Sequence, residues 1–151
     1  MGNPLSEVDR AYLAGFLDGD GAIMALIERH AEKRFGFRVR LEINVTQYHE
    51  CDVAWLPAHA GVGYIRRNLE TYQWIVRDQR AVRWLLDMIA PYSRCKRKQI
   101  ALAIEICAHP MQSKNDLIQV AKLADALSKF NVRSKNRRKN HAAMIEESVI
   151  P

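Results

Sequence analysis

Two aspartates alternate with two glycines at residues 18–21, directly after an apolar segment with helical spacing. A carboxylate at the C-terminal end of a helix is electrostatically unfavourable in a bare chain, because the negative end of the helix dipole lies there. A divalent cation reverses that sign, and Mg²⁺ binds one or two carboxylates together with carbonyl, phosphate and water oxygens. The run Asp18-Gly19-Asp20-Gly21 is therefore compatible with a metal site that acts on a phosphodiester, although taken alone it is better explained as a helix-terminating turn.

A second candidate region is a strand whose polar face could contact nucleic-acid bases. Between Phe35 and Gln47 apolar and polar residues alternate strictly, which predicts a long half-buried strand. Its outward side chains are of types that hydrogen-bond base edges in the major groove, and they are Arg38, Arg40, Glu42, Asn44 and Thr46. The same register on the neighbouring predicted strands contains Met24, Leu26, Glu28, His30, Arg66, Asn68, Glu70, Gln73, Ile75 and Arg77. An ordinary solvated sheet face is the alternative, and the apolar members fit base reading only by touching thymine methyl groups.

Basic residues are concentrated towards the C-terminus. The chain has a net charge of +6, and six of its 23 basic residues lie within residues 129–139 without an intervening acid. They are Lys129, Arg133, Lys135, Arg137, Arg138 and Lys139. The remainder holds 17 basic and 17 acidic residues, so a nucleic-acid surface there requires charge to be segregated onto one face. The basic run predicts either phosphate contacts, through Arg137, Arg138 and Lys139, or a solvated tail.

Length and composition exclude several classes of protein. With 151 residues, of which 48% are hydrophobic and 26% charged, the chain fits one globular domain and neither a disordered chain nor a coiled coil. No segment is long and apolar enough to cross a bilayer and no signal peptide is recognisable, so we expect an intracellular protein with no membrane partner. Three cysteines at irregular spacing fit neither a disulfide framework nor a paired zinc motif.

The elements that must position these residues follow from hydrophobic periodicity. Ser6 is a good N-cap, and apolar spacing predicts a helix over residues 7–18 that is apolar on two sides. Two hairpins follow, within residues 21–47 and 62–77, and a short helical stretch interrupted by Pro57 separates them. Three amphipathic helices lie between residues 82 and 127. We therefore predict one α+β domain over residues 1–151, with four antiparallel strands, helices on one sheet face, a core over about 6–130 and a tail over about 131–151.

Four short motifs together resemble the LAGLIDADG homing endonucleases, in particular their single-motif, intron-encoded homodimers. Residues 13–21, Leu-Ala-Gly-Phe-Leu-Asp-Gly-Asp-Gly, resemble the signature of the family. The other three motifs are Val45-Thr46-Gln47, Gly61-Val62-Gly63-Tyr64 and Lys96-Arg97-Lys98-Gln99. The resemblance covers nearly the whole chain and implies the αββαββα core of the family, with a saddle-shaped four-stranded sheet.

The resemblance also implies roles for particular residues. In the family the closing acid of the signature binds the metal with help from the preceding carbonyl, which implies Asp20 and Gly19. Gln47 matches the polar residue that positions water or lies near the metal, and Lys98 matches the basic residue near the scissile phosphate, with Lys96 also at the DNA. Two signature helices pack together in the family, which implies a homodimer through Leu13, Ala14, Gly15, Leu17 and Asp18, the last with a mainly structural role.

The activity implied by the resemblance is double-strand cleavage of DNA at a long pseudo-palindromic site, with Mg²⁺ as the cofactor. We expect Mn²⁺ to substitute for it and Ca²⁺ to support binding without cleavage. The expected location is an organelle or a prokaryotic cytoplasm. One departure is that no arginine follows Gln47 within residues 48–52, where relatives often carry one, so that His49 or Arg97 would have to replace it. The alternatives are a maturase that binds intron RNA and a catalytically idle DNA-binding protein.

Overall fold

The computed structural model describes residues 5–131 and 141–148, beginning with a helix that leads directly into a strand. The helix α1 (Glu7–Asp20) is capped by Ser6, whose hydroxyl accepts a hydrogen bond from the backbone N–H of Asp9 at 3.1 Å. It continues two residues beyond its predicted end and includes Gly19 and Asp20. Gly21 follows in extended conformation, and a Cβ there would lie 2.5 Å from Leu17 Cδ2 and 2.8 Å from the Leu17 carbonyl oxygen. Glycine is therefore required at this junction by close approach.

The four strands form one antiparallel sheet, as the alternation predicts. They are β1 (Gly21–Arg29), β2 (Phe37–Gln47), β3 (Tyr64–Asn68) and β4 (Thr71–Val76), and they lie in the order β1-β2-β4-β3. Gly21 pairs with Val45, so the end of β2 lies beside the C-terminal end of α1. The long strand begins at Phe37 and not at Phe35, because Gly36 takes a φ of +77° in the preceding turn.

The remaining helices pack on one face of this sheet, which confirms the predicted α+β class. A single 3₁₀ turn (Glu50–Asp52) and α2 (Leu56–Ala60) separate the two hairpins. Helices α3 (Gln79–Ile89), α4 (Arg97–Ala108), α5 (Lys114–Asn131) and α6 (His141–Glu146) complete the described part of the chain. The core combines the inner sheet residues, such as Ile23, Leu41 and Trp74, with the apolar faces of the helices. None of the helices within residues 5–131 and 141–148 is long and apolar enough to cross a membrane.

The two apolar sides of α1 have different environments, and this corrects one prediction. Leu13 and Ala14 are fully buried and Leu17 is 1% exposed within the single chain, so these three residues belong to its own core and not to a dimer interface. The opposite side is open, with Val8 78% and Tyr12 58% exposed. Gly15 lies on this open side, where an added Cβ would meet no atom within 4 Å.

The predicted basic tail falls mostly beyond the part of the chain that is described. Arg137, Arg138 and Lys139 lie outside the described residues, so their predicted phosphate contacts stay a prediction. Lys129 ends the basic face of α5, and Asn131 donates from its side-chain amide to the carbonyl oxygen of Ile23 in β1. The C-terminal end of α5 is thereby attached to the strand that follows α1.

Candidate functional site

Asp20 and Gln47 meet where α1 ends and β2 ends. The Gln47 Nε2 donates to Asp20 Oδ2 at 3.0 Å, although the two residues are 27 positions apart in the chain. The pairing of β1 with β2 produces this contact. Gly21, which directly follows Asp20, pairs with Val45, and Val45 lies two residues before Gln47. Asp20 is exposed and Gln47 half-buried, so both remain accessible to a ligand outside the chain. Two of the three residues to which the resemblance gave a catalytic role, Asp20 and Gln47, are thus brought together.

Asp18 attaches the loop before α4 to the end of α1. Its carboxylate accepts hydrogen bonds from Ser93 Oγ at 2.5 Å and from the backbone N–H groups of Arg94 at 2.7 Å and Cys95 at 3.2 Å. Partial burial acts to raise the pKa of Asp18, but the bonds from Arg94, Ser93, Cys95 and Lys96 together hold that pKa below its ordinary value. The contacts of Asp18 within the single chain therefore support the structural role expected for it.

The structure places Lys96, and not Lys98, against the end of α1. Lys96 Nζ donates to the carbonyl oxygen of Asp18 at 3.1 Å, where a cation is favoured by the negative end of the helix dipole. Lys98 Nζ lies instead 5.6 Å from the ring centroid of Phe130 on α5. Among the described contacts none joins Lys98 to Asp20 or Gln47, so its role near the scissile phosphate stays a prediction.

The donor atoms at the end of α1 suit a hard divalent cation. The last carbonyl groups of a helix have no partner within the helix, and here that of Gly19 lies next to the exposed Asp20 carboxylate in sequence. Oxygen donors of this kind fit Mg²⁺, which retains several water or phosphate oxygens beside one or two protein carboxylates. In residues 5–131 and 141–148 there is no cluster of three or more His, Cys, Asp or Glu side chains that could enclose a metal. A metal held by Asp20 and the Gly19 carbonyl would leave positions for water or phosphate oxygens.

On the outer face of the sheet, several of the predicted base-reading side chains hydrogen-bond to one of two carboxylates, Glu28 or Glu42. Near the first hairpin turn, Glu28 accepts from Arg38 at 2.6 Å and from Arg40 at 2.9 Å. The bond from Arg38 is the main reason that the pKa of Glu28 lies below its ordinary value. Met24, Leu26 and His30 are half-exposed on the same face. These residues remain accessible, as predicted for a contact surface.

The second carboxylate group corrects two predictions. Glu42 is only 4% exposed, because its carboxylate accepts from Arg77 Nε at 2.6 Å and from Asn44 Nδ2 at 3.0 Å. Ile75 has no exposed surface at all, since β4 lies between β2 and β3 and places it between Asn44 and Tyr64. Glu42 and Ile75 are therefore not available for direct contact with bases in this conformation, whereas Asn44 and Arg77 are half-exposed.

A third group of polar residues crosses three strands near the open edge of the sheet. Arg66 on β3 donates to Gln73 Oε1 on β4 at 2.6 Å, and Gln73 donates to Thr46 Oγ1 on β2 at 3.1 Å. Asn68 and Glu70 flank the exposed turn between β3 and β4, where Leu69 has a φ of +56°. The residues predicted on the second hairpin, apart from Ile75, thus lie at or near the surface.

Neither predicted substitute for the missing arginine reaches the Asp20–Gln47 pair. The ring of His49 packs edge-on against Tyr48 at a centroid distance of 5.0 Å, and Arg97 Nε donates to the carbonyl oxygen of Ser93 at 2.9 Å. Cys51 is exposed, and its thiol lies 3.7 Å from the carboxylate of Asp52. Among the described side chains, Lys96 is the cation held at the end of α1.

Sequence reasoning missed Ser93, which is 1% exposed and lies 75 positions from its partner Asp18. No local pattern signals such a contact, because a serine in a loop is an ordinary residue and the partner is distant in the chain. Sequence reasoning gave the catalytic role to Lys98, which stays a prediction, and a DNA contact to Lys96. Both lysines belong to the same four-residue motif, so spacing alone does not choose between them.

Comparison with known proteins agrees with this geometry. The LAGLIDADG endonuclease family matches residues 13–107, which is more than half of the chain and spans α1, the sheet and most of α4. The chain therefore belongs to the LAGLIDADG endonuclease family, and the resemblance that the four motifs indicated is confirmed.

Two relatives of the chain are named as DNA endonucleases. The DNA endonuclease I-CreI of Chlamydomonas reinhardtii is 29% identical over 134 residues, which cover 84% of this chain and 80% of I-CreI. The DNA endonuclease I-CvuI of Chlorella vulgaris is 30% identical over 120 residues, which cover 76% of this chain and 74% of I-CvuI. The crystal structure of the homing endonuclease I-CvuI in complex with its target in the presence of Ca superposes with a TM-score of 0.83 at 26% identity, covering 93% of this chain and 91% of that one. The predicted fold is thereby confirmed.

Proposed function

We propose that this chain is a homodimeric homing endonuclease that cuts both strands of DNA at a long pseudo-palindromic site and depends on Mg²⁺. The observation that carries the proposal is the contact between Asp20 and Gln47 at the end of α1. The polar outer face of the sheet begins immediately beside this pair, so that one surface would serve both DNA recognition and cleavage. Two such sheets would lie in successive major grooves, about one helical turn or ~34 Å apart.

Each side chain at the end of α1 suits one task in phosphodiester hydrolysis. Asp20 and the carbonyl of Gly19 would hold the metal, and a bound divalent cation supplies Lewis-acid stabilisation of the phosphate and a lowered pKa for its water. Gln47 uses its amide N–H to bind Asp20, which leaves its carbonyl oxygen to orient the attacking water. Lys96, close to the end of α1, is better placed than Lys98 to stabilise the charge that develops on the phosphate.

The homodimer would form through the open side of α1. Each chain contributes one Asp20, whereas two strands must be cut, so two copies must bring their α1 C-termini to the same DNA. A parallel pair of α1 helices about a twofold axis satisfies this requirement. The exposed glycines Gly15 and Gly19 permit close approach of the two backbones, and Val8 and Tyr12 would be removed from water.

Gly15→Leu tests the dimer without harming the single chain. A Cβ at Gly15 meets no atom within 4 Å, and replacing a helical glycine favours the helix by up to about 1 kcal/mol. We therefore expect a folded monomer in analytical ultracentrifugation that no longer makes double-strand breaks. Ala101→Leu, which adds bulk at an exposed position of α4, should leave the dimer intact. A Gly15→Leu protein that remains a fully active dimer would exclude this interface.

Asp20→Asn tests the cleavage mechanism. Asparagine preserves size and helix-end geometry but removes the charge that binds the metal, so cleavage in Mg²⁺ should fall by roughly a hundredfold or more. DNA binding in Ca²⁺ and the unfolding temperature should change little, because Asp20 is exposed. Asp87→Asn, which removes an exposed carboxylate paired with Arg83 on α3, serves as the control. Cleavage by the Asp20→Asn protein at the parent rate would remove Asp20 from the mechanism.

The same cleavage assay separates the alternative functions. A maturase that binds intron RNA, or an idle DNA-binding protein, would not cut a plasmid that carries the junction without the intron. For location, we propose a DNA-containing compartment such as an organelle or a prokaryotic cytoplasm, supported by the relatives from Chlamydomonas and Chlorella. Mn²⁺ should replace Mg²⁺, and Ca²⁺, with its looser geometry, should support binding without cleavage.

A further inference from the structure

Glu42 is an unusual residue for the face on which it lies. It belongs to the outward register of β2, between Arg40 and Asn44, yet it is 4% exposed. A buried carboxylate is costly unless it is paired and hydrogen-bonded, and both of its oxygens are used here. Oε2 accepts from Arg77 Nε at 2.6 Å, and Oε1 accepts from Asn44 Nδ2 at 3.0 Å. Glu42 thus holds two half-exposed polar side chains, Asn44 on its own strand and Arg77 directly after β4.

The contacts of Glu42 decide which donors and acceptors its partners have left. The Arg77 guanidinium bonds Glu42 through Nε and also interacts with the side chain of Tyr64, so the N–H groups that remain on its terminal nitrogens are available for a contact with guanine. Asn44 bonds Glu42 through its amide nitrogen, so its carbonyl oxygen stays available to accept from the amino group of a base. An unpaired asparagine amide is free to turn over, and this bond selects one orientation.

Such anchoring bears on specificity more than on affinity. A long arginine side chain without a partner can bind a phosphate as readily as a base, and contacts with phosphates carry no sequence information. Fixing Nε of Arg77 removes much of the rotamer freedom that would otherwise be lost when DNA binds. The hydrogen bond from Arg77 to Glu42 also raises the pKa of this arginine, so that its charge is secure.

We propose that Glu42 is a positioning residue for sequence recognition, which orients Arg77 and Asn44 towards adjacent bases without itself touching the DNA. This inference rests on the proposed function, since it requires a sequence-specific DNA-binding face. Glu28 provides an internal comparison, because its carboxylate also binds two arginines but its side chain is 41% exposed. An exposed ion pair restrains the orientation of its two side chains only weakly. We therefore assign the orienting of neighbouring side chains to the buried Glu42 and not to Glu28.

Glu42→Gln is the direct test, with binding measured in Ca²⁺ against targets substituted at every base pair of one half-site and against an unrelated duplex. The change keeps the shape of the side chain and removes the charge that holds Arg77. Preference at one or two base pairs should fall by roughly tenfold to a hundredfold, while affinity for the unrelated duplex stays within about twofold or rises. Arg77→Ala should relax the same base pairs, and Glu42→Gln added to Arg77→Ala should relax them no further.

Two further measurements distinguish positioning from a purely structural role. Asp87→Asn, which removes an exposed carboxylate paired with Arg83 on α3, is the control and should leave preference at every base pair unchanged, whereas Glu28→Gln should act only at the base pairs that Arg38 and Arg40 face. Thermal unfolding of each variant shows whether the protein is folded, and Glu42→Asp, which keeps the charge, should recover part of the preference. A folded Glu42→Gln protein with the parent preference at every base pair would overturn the inference and leave the proposed function intact. A parent protein that binds all duplexes equally would overturn the proposed function and this inference with it.

Discussion

The end of α1 and the outer face of the sheet both depend on carboxylates, but those carboxylates bind different partners. Asp18 accepts hydrogen bonds from the backbone N–H groups of Arg94 and Cys95. These two donors do not depend on which side chains occupy positions 94 and 95. Among the described hydrogen bonds, Glu28 accepts from two side chains of β2, and Glu42 accepts from the side chains of Asn44 on its own strand and of Arg77 directly after β4. The loop beside the proposed cleavage site is therefore held partly by backbone groups, whereas the proposed recognition face is held by side chains that single substitutions can exchange.

This difference separates what the protein can alter from what it must keep. Exposed ion pairs such as that of Glu28 contribute about 0–1 kcal/mol each, so exchanging them costs little stability. The bonds to Asp18 join two segments that are otherwise far apart in the chain and position Lys96 beside α1. A change in target sequence can thus proceed on the sheet without loss of the cleavage geometry.

Asp18→Asn should have the largest effect in this comparison. The amide cannot accept as many hydrogen bonds as the carboxylate, so we expect a loss of about 1–2 kcal/mol of unfolding free energy, kept modest because the group is partly exposed. Displacement of the loop that carries Lys96 should lower the cleavage rate by roughly tenfold to a hundredfold. Denaturant unfolding and single-turnover cleavage measure the two effects.

The pH dependence of unfolding provides a second measure for Asp18. Because its folded-state pKa lies below the ordinary value of 3.8, its contribution to stability is complete above that value and is lost as the pH falls through the folded-state pKa. Asp116→Asn is the matched control, since Asp116 also accepts from backbone N–H groups, those of Gln112 and Ser113, but at the start of α5. If Asp18→Asn and Asp116→Asn lowered the cleavage rate equally, Asp18 would have no special role in positioning the loop that carries Lys96.

Arg40→Ala should have a smaller and different effect. It removes one partner of Glu28 and one candidate base contact, so stability should change by less than about 1 kcal/mol. Discrimination at the base pairs that Arg40 reads should fall by roughly tenfold to a hundredfold, and Arg38→Ala should act at a neighbouring position. Binding to a panel of substituted targets measures this, and the cleavage rate on saturated parent target should remain close to that of the parent.

Neutralising Arg137, Arg138 and Lys139 together provides the contrast for the arginine variants. If these residues contact phosphates, the triple variant loses those contacts. It should then bind every duplex more weakly, and its binding should depend less steeply on salt concentration. Its target preference should not change. If the sheet and tail variants altered target preference equally, the assignment of recognition to the sheet would be wrong.

The alternation of apolar and polar residues was sufficient to predict the sheet, because strands have period two and one face must be buried. It also placed Arg38, Arg40 and Asn44 on one face of β2, whereas Gln47 and Asp20 were located by the family resemblance. Burial within one face was not predictable in this way. In the sequence Glu42 resembles its half-exposed neighbours Arg40 and Asn44, and its burial involves Arg77, which lies 35 positions away directly after β4.

The two sides of α1 illustrate a second limit of sequence reasoning. Both are apolar, and a helical pattern does not say which side faces the chain's own core and which faces another copy. The decision depends on how α1 crosses the sheet, and this packing places Leu13 and Leu17 inside and leaves Tyr12 outside. The choice between Lys96 and Lys98 depends in the same way on the path of the loop that Asp18 holds.

The absence of any loop between α1 and β1 has a mechanical consequence. Asp20 ends the helix and Gly21 begins the strand, so no flexible residue separates the carboxylate from the recognition sheet. Gly21 is also packed against Leu17 too tightly to admit a side chain, which fixes the angle between the two elements. Helix and strand therefore move together as one rigid unit, and under the proposed function a sheet that fits a mismatched groove poorly would displace Asp20 from the phosphate. An error in recognition would then directly lower cleavage at imperfect sites.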